Sequence, residues 1–281
     1  MKLVIGLPWY NGPDAETGPL YMDMMMYFGA LRERTLMRSE MPRDAWEATN
    51  RALPPLDETG DPEGNPTDED YDRLGKLQIA LVDYSRCSLV GKAREMIVDV
   101  ALEWGADYLF WWDADMKFSP SAFLRLFRNN VPVVGALAFT ARHPIYPVIF
   151  SIKKSVDPAN NMEVIENSDI MFDYPKDTLV GNEDVGGELA MGGACVLYNM
   201  NVFKEIPKPW FMATGCGEDW YFCHRCAEYG IPRYVDTRVK TQHKEHASRW
   251  ASESAYWQYR AMPEMKESYD DLMFPKETKV L

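Results

Sequence analysis

Two acids one residue apart, Asp113 and Asp115, close an apolar run in "YLFWWDADMKFSP" (108–120). The bulky residues do not alternate with polar ones, so the run reads as a strand buried on both faces, with the carboxylates at its C-terminal end. Carboxylates held so close repel unless a cation or proton neutralises them. A hard divalent ion, Mn²⁺ or Mg²⁺, with oxygen ligands and room for phosphate oxygens, meets that need. The plainer reading is a solvated strand end capping a helix over "SPSAFLRLF". A second acidic pair, Glu218 and Asp219 in "GEDWYFCHRC", opens a predicted helix at about 218–229. Acids there complement the helix dipole. A carboxylate so placed can also take the proton from an acceptor hydroxyl.

The elements that must position these acids follow from pattern. "KLVIGLP" (2–8) is a buried first strand stopped by Pro8, and "PWYNGPDAETGP" after it is turn chemistry. "LYMDMMMYFGALRERTLM" (20–37) is predicted helical, with methionines filling its core face. Residues 54–72 hold acids, Pro and Gly but no Lys or Arg, and are expected to be an exposed, mobile insertion without a catalytic role. "LQIALVDY" (77–84) restores strand character. In "SLVGKAREMIVDVALEWG" (88–105), Leu89, Ala93, Met96, Ile97, Val100, Ala101 and Trp104 follow the helical period, and Gly105 supplies the stop. Strand, helix, strand, helix, strand gives right-handed crossovers and a mostly parallel sheet. Ligands gather at the carboxyl ends of such strands, where Asp113 and Asp115 lie. The second half reads as mixed, with strands over "VPVVGALAFT", "YPVIFSI", "ACVLYN" and "RYVDTRV". One α/β domain over 1–246 with a helical tail, 247–281, is the expected organisation.

The 281 residues include 43 acids against 30 bases, a net charge of −13. That disfavours a nucleic-acid backbone or an anionic membrane as a broad partner. No apolar run is long enough to span a bilayer, and "MKLVIGLPW" lacks a secretory cleavage pattern. Five cysteines without a secretion signal suggest reduced thiols and a cytoplasmic setting. Cys223 and Cys226 share a helical spacing, but a structural zinc site needs a second ligand pair that the sequence does not offer.

The order of strand, D-x-D, "GGACVLYNMNVFKEIPKPWF", "GEDWYFCHRCAEYG" and "VDTRVKTQH" resembles the nucleotide-sugar glycosyltransferases of the glycosyltransferase-A fold, most closely the family 2-like enzymes, including phage-type relatives. The resemblance spans roughly residues 2–246 and implies a single Rossmann-like domain. It implies that Asp115 is the main ligand of a divalent metal, that Asp113 contacts the ribose or the metal's water shell, and that His243 is a late metal ligand, with His246 competing for that role. It also implies Asp219 as the general base, with Glu218 beside it.

Other residues carry a functional and a plain reading together. Gly192 and Gly193 remove side chains where backbone can approach a sugar, or simply turn the chain before a strand. Trp210 and Phe211 offer a platform for a sugar ring or fill the core. Pro8, Tyr10 and Asn11, with Trp9 nearby, would receive the nucleoside at the first strand end. Arg94 matches an arginine near the donor in the family, although Glu95 stands where Asn often follows. The expected activity is metal-dependent transfer of a sugar from a nucleoside diphosphate to a hydroxyl acceptor (glycan, lipid, protein or modified base), with inversion. A nucleotidyltransferase would want a basic, Gly-rich loop after the first strand, which "PWYNGPDAETGP" lacks. A non-catalytic sugar-binding relative would be expected to lack Asp115 or Asp219, and both acids are present.

Overall fold

The computed structural model describes residues 1–8, 17–57, 61–84, 87, 89–157, 162–213, 217–245, 249–265 and 269. Strand β1 (Lys2–Leu7) ends at Pro8 and is followed by helices α1 (Gly18–Glu40), α2 (Arg43–Ala52) and α3 (Asp68–Leu74). Strand β2 (Gln78–Asp83) leads to α4 (Val90–Trp104), which Gly105 terminates in the left-handed conformation at φ +71°. Next come β3 (Tyr108–Trp112), β4 (Met116–Phe118), α5 (Ala122–Arg128) and β5 (Val133–Leu137). Strands β6 (Ile149–Asp157), β7 (Met162–Ile170) and β8 (Leu179–Val180) precede α6 (Asn182–Val185), β9 (Glu188–Met191) and β10 (Cys195–Asn199). The chain closes with α7 (Val202–Glu205), α8 (Glu218–Glu228), β11 (Arg233–Glu245), β12 (Arg249–Ala251) and α9 (Glu253–Arg260).

The architecture is α/β, with a mixed, mostly parallel central sheet flanked by helices. Its main path runs β12-β11-β5-β10-β3-β1-β2, and β4 and β8 both pair with β11. β1 is parallel to β2 and β3, and β5 to β11, whereas β10 runs antiparallel to both β3 and β5. A separate antiparallel sheet orders as β7-β6-β9. Side chains of β3 alternate between two cores. Leu109 and Trp111 join Ile97, Val98 and Phe222 on the α4–α8 side, while Phe110 and Trp112 join Phe28, Leu31 and Phe123 on the α1–α5 side. An apolar run without polar interruption is therefore what a strand between two helical layers requires.

Two elements differ from expectation at their surfaces. On α1, Met24 is buried but Met22 and Met26 are exposed, so only part of the methionine run packs. On α4, Ala93, Ile97 and Ala101 are buried together with Val98, while Val100 and the preceding Leu89 face outward.

The described residues of the acidic stretch, 54–57 and 61–72, are anchored to the domain rather than forming an exposed loop. Asp57 accepts hydrogen bonds from the hydroxyls of Ser119 and Ser121, at 3.1 and 2.6 Å. Thr67 and Asp70 form a reciprocal capping box at the start of α3. Asp70 is 2% exposed and receives Arg128 through Nε and Nη2, the latter at 2.7 Å. The acids that looked solvating are partners for arginines and serines beyond β3. Burial pushes the Asp70 carboxyl up, but Arg128 and Thr67 outweigh it and hold the pKa below its usual value of 3.8. Asp70 therefore adds stability above its unfolded pKa, and that contribution is lost as pH falls through the lower, folded value. Asp70→Asn keeps the shape and removes the charge. It should cost about 3 kcal/mol in urea unfolding at neutral pH, the scale of breaking a buried pair. That difference should shrink once the pH drops below 3.8.

The tail, expected to be helical, also contains a strand. Trp250 lies in the strand β12, ahead of the helix Glu253–Arg260 and a 3-10 turn at Pro263–Met265. Tyr256 is fully buried and its hydroxyl donates to Phe172 O at 2.7 Å. Among the described residues no helix is long and apolar enough to cross a membrane.

Candidate active site

A cleft of about 580 Å³ opens beyond the carboxyl ends of β3 and β5, where a parallel sheet presents its ligand edge. Asp113, Arg94, Gly192, Gly193, Glu218, Asp219 and His243 all line it. They come from five places: α4, the end of β3, the turn into β10, the start of α8, and β11.

Arg94 is the hub. It is 3% exposed, and its Nη2 donates to both Asp113 carboxylate oxygens at 2.9 and 3.2 Å. Its Nη1 lies 3.5 Å from Glu218 Oε1. The guanidinium also faces the Trp111 and Phe211 rings, at 5.3 and 5.9 Å. One buried cation thus bridges the acid that ends β3 and the acid that starts α8. Glu95, the next residue, accepts hydrogen bonds from the backbone N–H groups of Trp210 and Phe211, the second at 2.6 Å. That fastens the segment before α8 to α4.

Gly193 is needed for this packing. A Cβ there would lie 2.0 Å from Arg94 Nη1, inside any allowed contact. Gly193→Ala should expel the guanidinium from its seat. It should lower stability in urea unfolding by about 1.5–3 kcal/mol, the scale of one charge-assisted hydrogen bond, with near-native circular dichroism. Unchanged stability would show that Arg94 has another seat.

Asp219 is held by two backbone donors. Its Oδ2 accepts from Gly193 N at 3.2 Å and its Oδ1 from Trp220 N at 2.8 Å. Burial raises its pKa above the ordinary carboxylate value; Arg94 and these amides oppose that rise, and Glu218 adds to it. Asp113, sunk in the cleft floor, is pushed up to about 7 by burial against the pull of Arg94, with Asp115 and Glu218 raising it further.

On the other wall, His243 in β11 sits 2.8 Å from Phe139 O through Nδ1 and 3.1 Å from Asp115 Oδ2 through Nε2. Burial opposes charge on the imidazole, but the hydrogen bond and charge of Asp115 outweigh it and raise the His243 pKa. Lys244 N donates to Asp115 O at 2.8 Å, so β11 also fixes the backbone of the D-x-D turn. Among the described residues, no group of three or more His, Cys, Asp or Glu side chains is arranged to hold a metal ion. Asp115 and His243 form a pair, and Asp113 is engaged by Arg94.

Other expected residues fall elsewhere. Trp210 and Phe211 are each 4% exposed. Trp210 Nε1 donates to Ile206 O, and Phe211 stacks on Phe222 at 4.9 Å. Neither is a platform for a sugar ring, because packing against α4, α7 and α8 consumes both faces. Pro8 is half-buried at the end of β1, while Trp9, Tyr10, Asn11 and His246 lie outside the described residues. Cys223 and Cys226 are buried in the apolar core.

Sequence reasoning missed the far wall, residues 138–148. Phe139, Thr140, Arg142, His143 and Tyr146 line the cleft there. Thr140 ties the wall together: its backbone N–H donates to Tyr146 O at 3.0 Å, and its hydroxyl oxygen accepts from Tyr146 N at 3.2 Å. The tail braces it from outside. The His143 and Tyr259 rings meet edge-on at 4.4 Å, and Tyr269 donates to Ile145 O at 2.8 Å. The available signal was "TARHPIYP", a polar, Pro-bearing stretch directly after the buried strand "VVGALAF".

No protein-family model matches the sequence, and no curated protein matches it. Among solved structures, the chain is similar to A197 from STIV, at 13% identity over 86% of this chain and 85% of that one, with a TM-score of 0.42. It is similar to S. aureus TarS 1-349, at 13% identity over 84% of this chain and 58% of that one, with a TM-score of 0.33. The same TarS segment in complex with UDP-GlcNAc aligns at 12% identity over 97% of this chain and 70% of that one, with a TM-score of 0.37.

Proposed function

We propose that this protein is a metal-dependent glycosyltransferase that moves a sugar from a nucleoside diphosphate to a hydroxyl acceptor with inversion. One observation carries the reading: Asp113, His243 and the helix-opening pair Glu218 and Asp219 line a single cleft, one buried arginine joins Asp113 to Glu218, and Asp115 pairs with His243.

The residues fit a divalent ion. With the Nδ1 proton of His243 given to Phe139 O, the Nε2 lone pair faces a carboxylate oxygen at 3.1 Å, and two acceptors so close call for a proton or a cation between them. Asp115 and His243 would hold the ion. Bound there, it would supply charge neutralisation for the departing nucleoside diphosphate. Asp219 takes the proton of the acceptor hydroxyl as that oxygen attacks the anomeric carbon, and its raised pKa makes it a better base than an exposed carboxylate. Its two backbone donors fix the carboxylate plane, so little is lost to reorientation. Glu218, restrained by Arg94, lies beside it on the acceptor side.

Sugar release from a set of nucleoside-diphosphate sugars, measured after chelation and again after restoring Mn²⁺, tests the class of reaction. Release that does not depend on added metal, or no release from any donor, would count against the reading. Asp115→Asn should abolish turnover and weaken Mn²⁺ binding while leaving the unfolding midpoint near wild type. Wild-type turnover in that variant after Mn²⁺ is restored would remove Asp115 from the site.

A further inference from the structure

At the opposite, amino edge of the sheet, a second cleft of about 470 Å³ lies between the ends of α3 and α5 and the turn from β10 into α7. We propose that it binds a phosphate-type oxyanion, using Arg73, Lys204 and the side-chain amides of Asn130, Asn199 and Asn201. It shares no residue with the cleft described above, and the inference does not depend on the proposed activity.

The first argument is charge. In a chain of net −13, arginines are usually met by acids: Arg38, Arg94, Arg128, Arg233 and Arg260 each have a carboxylate partner. Arg73 and Lys204 have none among the described residues. Arg73 donates through Nη2 to Phe127 O at 2.9 Å and Asn130 Oδ1 at 3.2 Å, with its guanidinium 4.2 Å from the Phe127 ring centre. Lys204 Nζ donates to Asn201 Oδ1 at 3.1 Å. Two cations without an ion-pair contact among the described residues therefore face one cleft.

The second argument is the direction of the amides. Asn130 Oδ1 accepts from Arg73, Asn201 Oδ1 from Lys204, and Asn199 Oδ1 from Asn201 N at 3.0 Å. All three partners can only donate, so each amide oxygen is fixed toward the protein and each NH₂ is left over. None of these NH₂ groups has a partner among the described residues. Asn130 is held at φ +52°, a conformation Asn tolerates better than most residues. The lining is thus a set of donors: guanidinium, ammonium and three amides. Donors around a cationic centre suit an oxyanion with several acceptor oxygens. Asp107 is the one acid on the rim, and its Oδ2 already accepts from Lys2 N at 2.7 Å. Its second oxygen suits a hydroxyl next to the phosphate, which would favour a phosphate ester over the free ion.

The test uses the full chain with ¹⁵N-labelled asparagine side chains. Titration with inorganic phosphate, against chloride at matched ionic strength, should shift the NH₂ signals of Asn130, Asn199 and Asn201. A parallel titration with glucose 6-phosphate separates the sources. Tighter binding than phosphate points to an ester, and equal binding to the free ion. Arg73→Gln with Lys204→Gln should weaken phosphate binding at this cleft at least about tenfold, the scale of losing one charge-assisted hydrogen bond, with turnover unchanged. Because Arg73 also holds the end of α5, Lys204→Gln alone provides a variant that leaves the fold undisturbed, and it should weaken binding in the same direction. Asparagine signals that ignore both phosphates, or that shift equally in the wild type and Lys204→Gln, would overturn the proposal.

Discussion

Asp219→Asn should lower turnover by about 10²–10⁴-fold, the usual contribution of a positioned carboxylate base. The amide keeps the carboxylate's size, and its oxygen can still accept from one of the two backbone N–H groups that hold Asp219, those of Gly193 and Trp220. What it cannot do is take a proton. Donor and metal affinities should therefore stay near wild type while the chemical step slows, so turnover and turnover over KM for the donor fall together. Glu218→Gln should do less, because Glu218 touches Arg94 at 3.5 Å rather than being held by backbone donors, and its effect should fall mainly on acceptor affinity. If Asp219→Asn keeps wild-type turnover, the base lies elsewhere and a retaining path becomes the better account. If donor binding collapses instead, Asp219 belongs to the donor subsite.

Arg94→Met is expected to cost at least as much stability as Asp70→Asn. The substitution keeps length and apolar contact with Trp111 and Phe211 but removes the charge between Asp113 and Glu218. Breaking a buried ion pair from one side typically costs about 3–5 kcal/mol, because the partner carboxylates are left without compensation or must take up a proton. Asp113 and Glu218 keep 24% and 21% of their side-chain surface, so the lower part of that range applies. Arg94→Lys should recover part of the stability, since an ammonium can reach one carboxylate but cannot fork between two. Urea unfolding measures both variants. A loss under about 1 kcal/mol for Arg94→Met, within the ordinary spread of single substitutions, would mean that the two acids are neutralised some other way.

The parts of this site that were legible in the sequence are those fixed by local pattern. Asp113 and Asp115 follow a run too apolar for a surface strand, and Glu218 and Asp219 open a helix after glycine, so both pairs could be placed at element ends. That Arg94 serves Asp113 and Glu218 could not be read, because 19 residues separate Arg94 from Asp113 and the contact depends on Gly193 from a third element. Trp210 and Phe211 failed as a platform for a related reason: aromatic residues that pack a core and those that stack a sugar have the same composition, and only the neighbours decide. The acidic stretch misled because its partners, Arg128, Ser119 and Ser121, lie some 60 residues further on. The wall at 138–148 has no periodicity of its own and takes its shape from the sheet and tail around it.

The position of β10 has a consequence for how the chain is made. It is the strand between β3 and β5, yet it is translated long after both. Until residue 199 leaves the ribosome, "YLFWW" and "VVGAL" each lack that neighbour, and both strand edges stand open. Apolar edges of this kind invite pairing with other chains. Fragments ending between about residues 140 and 190 should accordingly be found in the pellet, and slowing elongation across that interval should lower the soluble yield of the complete protein.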